Sequence, residues 1–123
     1  MDMHYFLIYN LFMNIYDRLS QKASEIEREM QRIGFWSKEN IKIDPKECTE
    51  AFCADKLSFE QWLQFIFIPN IRKIIFEKGD LPKDSQLGVK AGKEFDYVSS
   101  KPEIDKLITI LQSIDQIIKN QDK

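Results

Sequence analysis

The chain has 123 residues, 43% hydrophobic and 31% charged, which is the size and make-up of one globular domain and excludes both a two-domain enzyme and a disordered default state. Its 18 Lys and Arg stand against 20 Asp and Glu, a net charge of −2 with the signs interspersed; direct nucleic-acid binding, which draws on a basic patch for phosphate affinity, is therefore disfavoured. Four Gly and four Pro leave few breaks and favour long helices over hairpins.

Residues 1 to 16, MDMHYFLIYNLFMNIY, are apolar on every side of any helix they could form. They carry no basic leader or small-residue cleavage site, and they are shorter than the ~20 residues a membrane span needs. Three readings stay open: residues 1–14 as an extension packed on the bundle, residues 3–16 as a dimerising or membrane-surface helix, and a working start at Met13. Packing or pairing through Tyr5, Phe6, Tyr9 and Phe12 leads among them.

From Ile15 to Ile33 the apolar positions Ile15, Leu19, Ala23, Ile26, Met30 and Ile33 recur at steps of three and four, which predicts an amphipathic helix stopped by Gly34. Phe35 and Trp36 then anchor the chain as it turns back. Residues 37–57 read as a long ordered loop, with Phe52 and Leu57 as its pins.

The loop carries both cysteines, Cys48 and Cys53, five apart and without CxxC spacing, and His4 is the sole histidine. No metal or cofactor site is expected from so sparse a set. With no secretory signal, two reduced thiols in a cytoplasmic protein are the expectation.

Ser58 with Gln61 forms a capping box that opens the central helix, SFEQWLQFIFIPNIRKIIFEK, and Gly79 is read as its end. Glu60, Gln61 and Gln64 make its first polar arc, whereas Asn70, Arg72 and Lys73 lie on other faces. The apolar stripe thus rotates at Pro69, where a missing amide and a crowded Phe65 carbonyl predict a kink. Residues 83–99 read as a short, imperfect helix, because Leu87, Ala91, Phe95 and Val98 have helical spacing but Gly88 and Gly92 oppose it. A last helix begins at a second capping box, Ser100 with Glu103. It carries the seam Ile104, Leu107, Ile108, Leu111, Ile114, Ile117 and Ile118.

The run AFCADKLSFEQWLQFIFIPNIRKII, the Leu81-Pro82 step and the final SIDQII resemble the YqcC-like family of small bacterial proteins, a domain of unknown function. Phe52, Asp55, Trp62, Leu63, Gln64, Ile68 and Pro69 occupy the family's Phe, Asp, Trp-Leu-Gln and aliphatic-Pro positions; Ala51 stands where the family has proline. The likeness covers residues 15 to 118. It implies an all-α bundle and no known reaction. Members are often encoded beside a tRNA pseudouridine synthase, so the resemblance offers that enzyme or its RNA as a candidate partner by association only.

The expected architecture is all-α, a three- to four-helix bundle forming one domain over residues 1–123, with a Pro-kinked central helix and a long loop after helix 1. An enzyme would have to use an acidic pair such as Asp55 with Asp115, and both are better explained as loop or cap residues, with Asp115 also within the possible reach of Arg72. No catalytic residue is assigned. The favoured function is a non-enzymatic protein-interaction module, with a small-molecule binder as the alternative. A groove beside the kinked helix, near Phe52, Asp55, Trp62, Gln64, Pro69, Arg72 and Lys73, is the candidate binding surface. Trp62 is expected to be mostly core, and Gln64 to be either solvated or a polar contact for the partner.

Overall fold

Helical periodicity in the sequence becomes four helices in the computed structural model, which describes residues 13–96 and 102–121. They are α1 (Ile15–Arg32), α2 (residues 59–77), α3 (Leu87–Glu94) and α4 (Pro102–Lys119). The bundle is all-α among the described residues. The N-terminal extension with Tyr5, Phe6, Tyr9 and Phe12, the Val98 position and the Ser100–Glu103 capping box lie outside what is described.

α1 opens on a capping box of its own. The Asn14 side chain accepts the Asp17 amide at 2.9 Å, and the Asp17 carboxylate accepts the Asn14 amide at 3.4 Å. Leu19, Ala23, Ile26 and Met30 form the buried face. Glu29 shares that face at 4% exposure, tolerated because Arg32 grips both its oxygens at 2.7 Å. The Arg32 hydrogen bonds outweigh the opposing cost of burial, and with the Arg32 and Lys106 charges they hold the Glu29 carboxyl below its usual pKa. At the C-terminus Gly34 takes φ +81°, the Phe35 amide reaches the Met30 carbonyl at 2.8 Å and the Gly34 amide reaches Gln31 at 3.3 Å, a Schellman closure. Phe35 then lies 5.3 Å from the Phe95 ring, which makes it the anchor the sequence suggests.

Ser58 and Gln61 exchange their two capping bonds at 3.2 and 3.0 Å and start α2, as their spacing predicts. The helix is not uniform. Phe59–Trp62 is α, Leu63–Phe67 is a π turn and Ile68–Glu77 is α again. Here the structure amends the simple proline kink: the Ile68 amide donates to Leu63, five residues back, so the irregularity occupies the turn before Pro69. A proline cannot continue the α ladder to Phe65, and a wide turn upstream absorbs the missing donor. The left-handed residue that ends α2 is Lys78 at φ 50°, and not Gly79, whose amide closes on Ile74 at 2.9 Å. The Tyr16 hydroxyl donates to the Gly79 carbonyl at 2.8 Å and ties the start of α1 to the end of α2.

α3 is short, and Gly88 explains itself through packing. A Cβ there would collide with the Gln112 side chain of α4, so the glycine permits a close helix approach. α4 supplies Ile104, Leu107, Ile110, Leu111, Ile114 and Ile118 to the core and holds both α1 and α3, while α2 packs on α1. Among the described residues no helix is long and apolar enough to cross a membrane.

Candidate functional site

The seven candidate residues do not form one groove. Four of them, Phe52, Asp55, Trp62 and Gln64, hold the long loop against α2. The Phe52 ring meets Trp62 edge-on at 4.9 Å and Phe59 at 5.8 Å, and Trp62 continues the cluster to Phe59 and to Phe67 at 5.5 Å. The Lys90 ammonium sits 5.4 Å from the centre of the Phe52 ring, a cation–π contact on the outer side. Trp62 is half-buried, less than a core tryptophan, because the loop covers it only in part.

Gln64 departs most clearly from its expected place. Its spacing puts it on the polar arc, yet it is 8% exposed. Its Oε1 accepts the Ser37 amide and its Nε2 donates to the Ser37 carbonyl, both at 2.8 Å. One amide side chain therefore replaces a β-bridge partner for the loop's first turn, and it is neither solvated nor free for a partner. Helical spacing misplaces it because the loop folds over that arc.

Asp55 orients the loop. Its carboxylate accepts the Thr49 amide at 3.2 Å, the Thr49 hydroxyl at 3.0 Å and the Glu50 amide at 3.2 Å. Desolvation is the largest single influence and opposes its charge, but the hydrogen-bond donors together outweigh it and keep the carboxyl below its usual pKa. Asp115 does not reach Arg72. It accepts the Ser85 hydroxyl at 2.5 Å and the Leu87 and Gly88 amides at 3.0 and 2.8 Å, capping α3 from the neighbouring helix. The two acids are thus committed to separate backbone amides.

Within the loop the reduced-thiol expectation is overturned: Cys48 and Cys53 are joined as a disulfide, with Cα atoms 4.9 Å apart. The short spacing works because Phe52 and Cys53 both adopt left-handed backbone, φ 58° and 53°, and bring the chain back on itself. Cysteine spacing alone carries no trace of those two dihedrals.

Pro69, Arg72 and Lys73 belong to a second region. Together with Phe76, which helical spacing alone does not single out, they stand at i, i+3, i+4 and i+7 of Ile68–Glu77, and all four are exposed. Phe76 is 88% exposed, against buried Ile68 and Ile71 on the opposite stripe. Arg72 pairs with Glu27 of α1 at 3.0 Å. The stripe is a ridge and not a groove. Hollows among the described residues lie elsewhere, among them one of about 440 Å³ where Arg28 and Glu29 face Lys106, one of about 700 Å³ where Ser85 and Val89 face Gln112, and one of about 260 Å³ where Ile15 and Arg18 face Ile117.

A small α-helical bundle with an apolar, cationic ridge is the class these features define. A family model for a domain of unknown function, described as tRNA pseudouridine synthase C, matches residues 18–117, from α1 to α4, and the chain belongs to that family. An uncharacterized protein of Haemophilus influenzae is 24% identical over 109 residues, covering 86% of this chain and 97% of the relative. No solved structure matches the chain.

Proposed function

We propose that this YqcC-like chain is a non-enzymatic interaction module of the cytoplasm that docks on a protein partner through the ridge of α2, with a tRNA pseudouridine synthase as the candidate partner. The observation that carries this reading is Phe76. A phenylalanine left 88% in water within one turn of two exposed cations supports the reading, since aromatic and Arg side chains are the commonest interface anchors. Arg72 and Lys73, exposed one turn before it, suit acidic groups on the partner beside the apolar pocket that would receive the ring. The family description supplies the candidate enzyme, and modification of tRNA accounts for the compartment. The non-enzymatic part rests on Asp55 and Asp115, whose oxygens are engaged by amides and hydroxyls of their own chain.

Titration calorimetry of the full chain against a purified tRNA pseudouridine synthase C tests it. Phe76→Asp is expected to weaken binding by about tenfold or more, as truncation of an anchor does, while Val89→Asp, at an exposed large apolar residue of α3, leaves it unchanged. Equal affinity for wild type and Phe76→Asp, or no binding by wild type, overturns the proposal. So does submicromolar tRNA binding by the isolated chain with a steep salt dependence.

A further inference from the structure

We infer that Cys48 and Cys53 are a reversible thiol–disulfide exchange site, operated by a protein dithiol, that sets how Phe52 packs on Trp62. The pair closes a loop of only six residues, 48 to 53, so it restricts the unfolded chain less than a long-range crosslink would, and its stabilising effect on the fold lies at the low end for a disulfide. Its local effect is much larger. It brackets Phe52 and Cys53, two successive residues other than glycine in the left-handed region, at φ 58° and 53°. A bulky side chain rarely holds that backbone unless its surroundings impose it. The ring so placed is the one that meets Trp62 at 4.9 Å and lies under Lys90.

The site is also built to close again after opening. Asp55 holds the Thr49 and Glu50 amides, and the Cys53 amide donates to the Glu50 carbonyl at 3.0 Å, none of which involves sulfur. The two thiols therefore stay close together when reduced. Access is unequal: Cys48 is half-buried, whereas Cys53 is 3% exposed. An incoming thiolate attacks the Cys48 Sγ, the S–S bond breaks, and Cys53 leaves with the electron pair and takes a proton from water. The second thiolate of the dithiol then attacks its own sulfur in the mixed disulfide and releases Cys48. The chain gains two electrons and two protons, and the dithiol becomes a disulfide. In the cytoplasm of the proposed function, on which this step rests, a reversible pair and not a permanent crosslink is the form disulfides take.

The test uses the full chain with Trp36→Phe, so that Trp62 is the remaining tryptophan. The chain is oxidised with a protein disulfide, then treated while folded with a CxxC-type protein dithiol, and followed by thiol alkylation with mass spectrometry and by tryptophan emission. Expected are no alkylation after oxidation, two alkylated cysteines after reduction, and a red shift of Trp62 emission that reverses on reoxidation. Cys48→Ser should show the shifted spectrum under both conditions, with unchanged far-ultraviolet circular dichroism. Alkylation in both states, resistance of the folded chain to the dithiol, or an emission maximum indifferent to redox state and to Cys48→Ser would each overturn the inference. None of these readouts depends on the ridge at Phe76.

Discussion

The two halves of α2 use similar residues for opposite purposes. Before Ile68 the helix carries Trp62 and Gln64 and turns them inward, against the loop; after it, Pro69, Arg72, Lys73 and Phe76 turn outward. An aromatic and a polar group are thus internal in one half, and an aromatic and two cations are external in the next. What separates them is the π turn over Leu63–Phe67, which holds one residue more than an α turn and so displaces every later side chain by roughly one residue's ~100° step. Polarity does not sort inner from outer residues here. The register of the backbone does.

That contrast breaks first at Trp62. Trp62→Ala removes the ring on which Phe52, Phe59 and Phe67 converge and is expected to cost about 3 kcal/mol, the low end for a large aromatic because the site is half-buried. Denaturant midpoints would measure it, and a loss below about 1 kcal/mol would make Trp62 a surface residue like Phe76. Gln64→Ala comes next, at about 2 kcal/mol, since it strands the Ser37 N–H and carbonyl together. Crystals or amide exchange of that variant should show residues 37–44 loosened while Ile68–Glu77 is unchanged; equal stability would mean that water substitutes for the side chain.

The helices were legible because periodicity and caps are local. Ser58 with Gln61 lies within one turn, Gly34 follows its helix directly, and the isoleucines of α4 repeat on one face. Asn14 with Asp17 escaped because that box lacks the commoner Ser/Thr and Glu/Gln pair. Long-range partners were not legible. Gln64 finds Ser37 27 residues away, and Asp115 finds Leu87 28 residues away, and no spacing rule encodes either. Phe76 shares the face of Arg72 and Lys73 by plain helical spacing, but spacing alone does not say that this face is left uncovered.

A smaller, pH-dependent difference should separate the regions. Asp55 is ionised and held by Thr49 and Glu50, with its carboxyl pKa below the usual value of about 3.9. A lowered folded pKa means that its stabilising effect is complete above the unfolded value and is lost as pH falls through the folded one. Amide shifts of Thr49 and Glu50 should therefore titrate with a midpoint under about 3.9, and Asp55→Asn should abolish that step. A midpoint at or above the ordinary value would remove Asp55 as the loop's clamp.

Pro69→Ala should have the smallest effect and the most direct bearing on the comparison. It restores an amide donor at the exposed start of the outward half, and it also gives back some unfolded-state entropy, so the two contributions nearly cancel within about 0.5 kcal/mol. The restored donor could in principle return α2 to a continuous α ladder. Doing so would remove the extra residue of the π turn and rotate one half against the other by one residue's ~100° step, carrying Phe59 and Leu63 off the stripe of Ile68 and Ile71 with which they are buried. Burial of three aliphatic side chains and the Ser37 clamp outweighs one hydrogen bond that water can supply equally well. The π turn should therefore persist in Pro69→Ala, with Ile68 still donating to Leu63 and Phe76 still exposed. A structure of the variant with a regular helix over 59–77 would show that the missing amide of Pro69, and not the packing on either side, sets the register that divides the two halves.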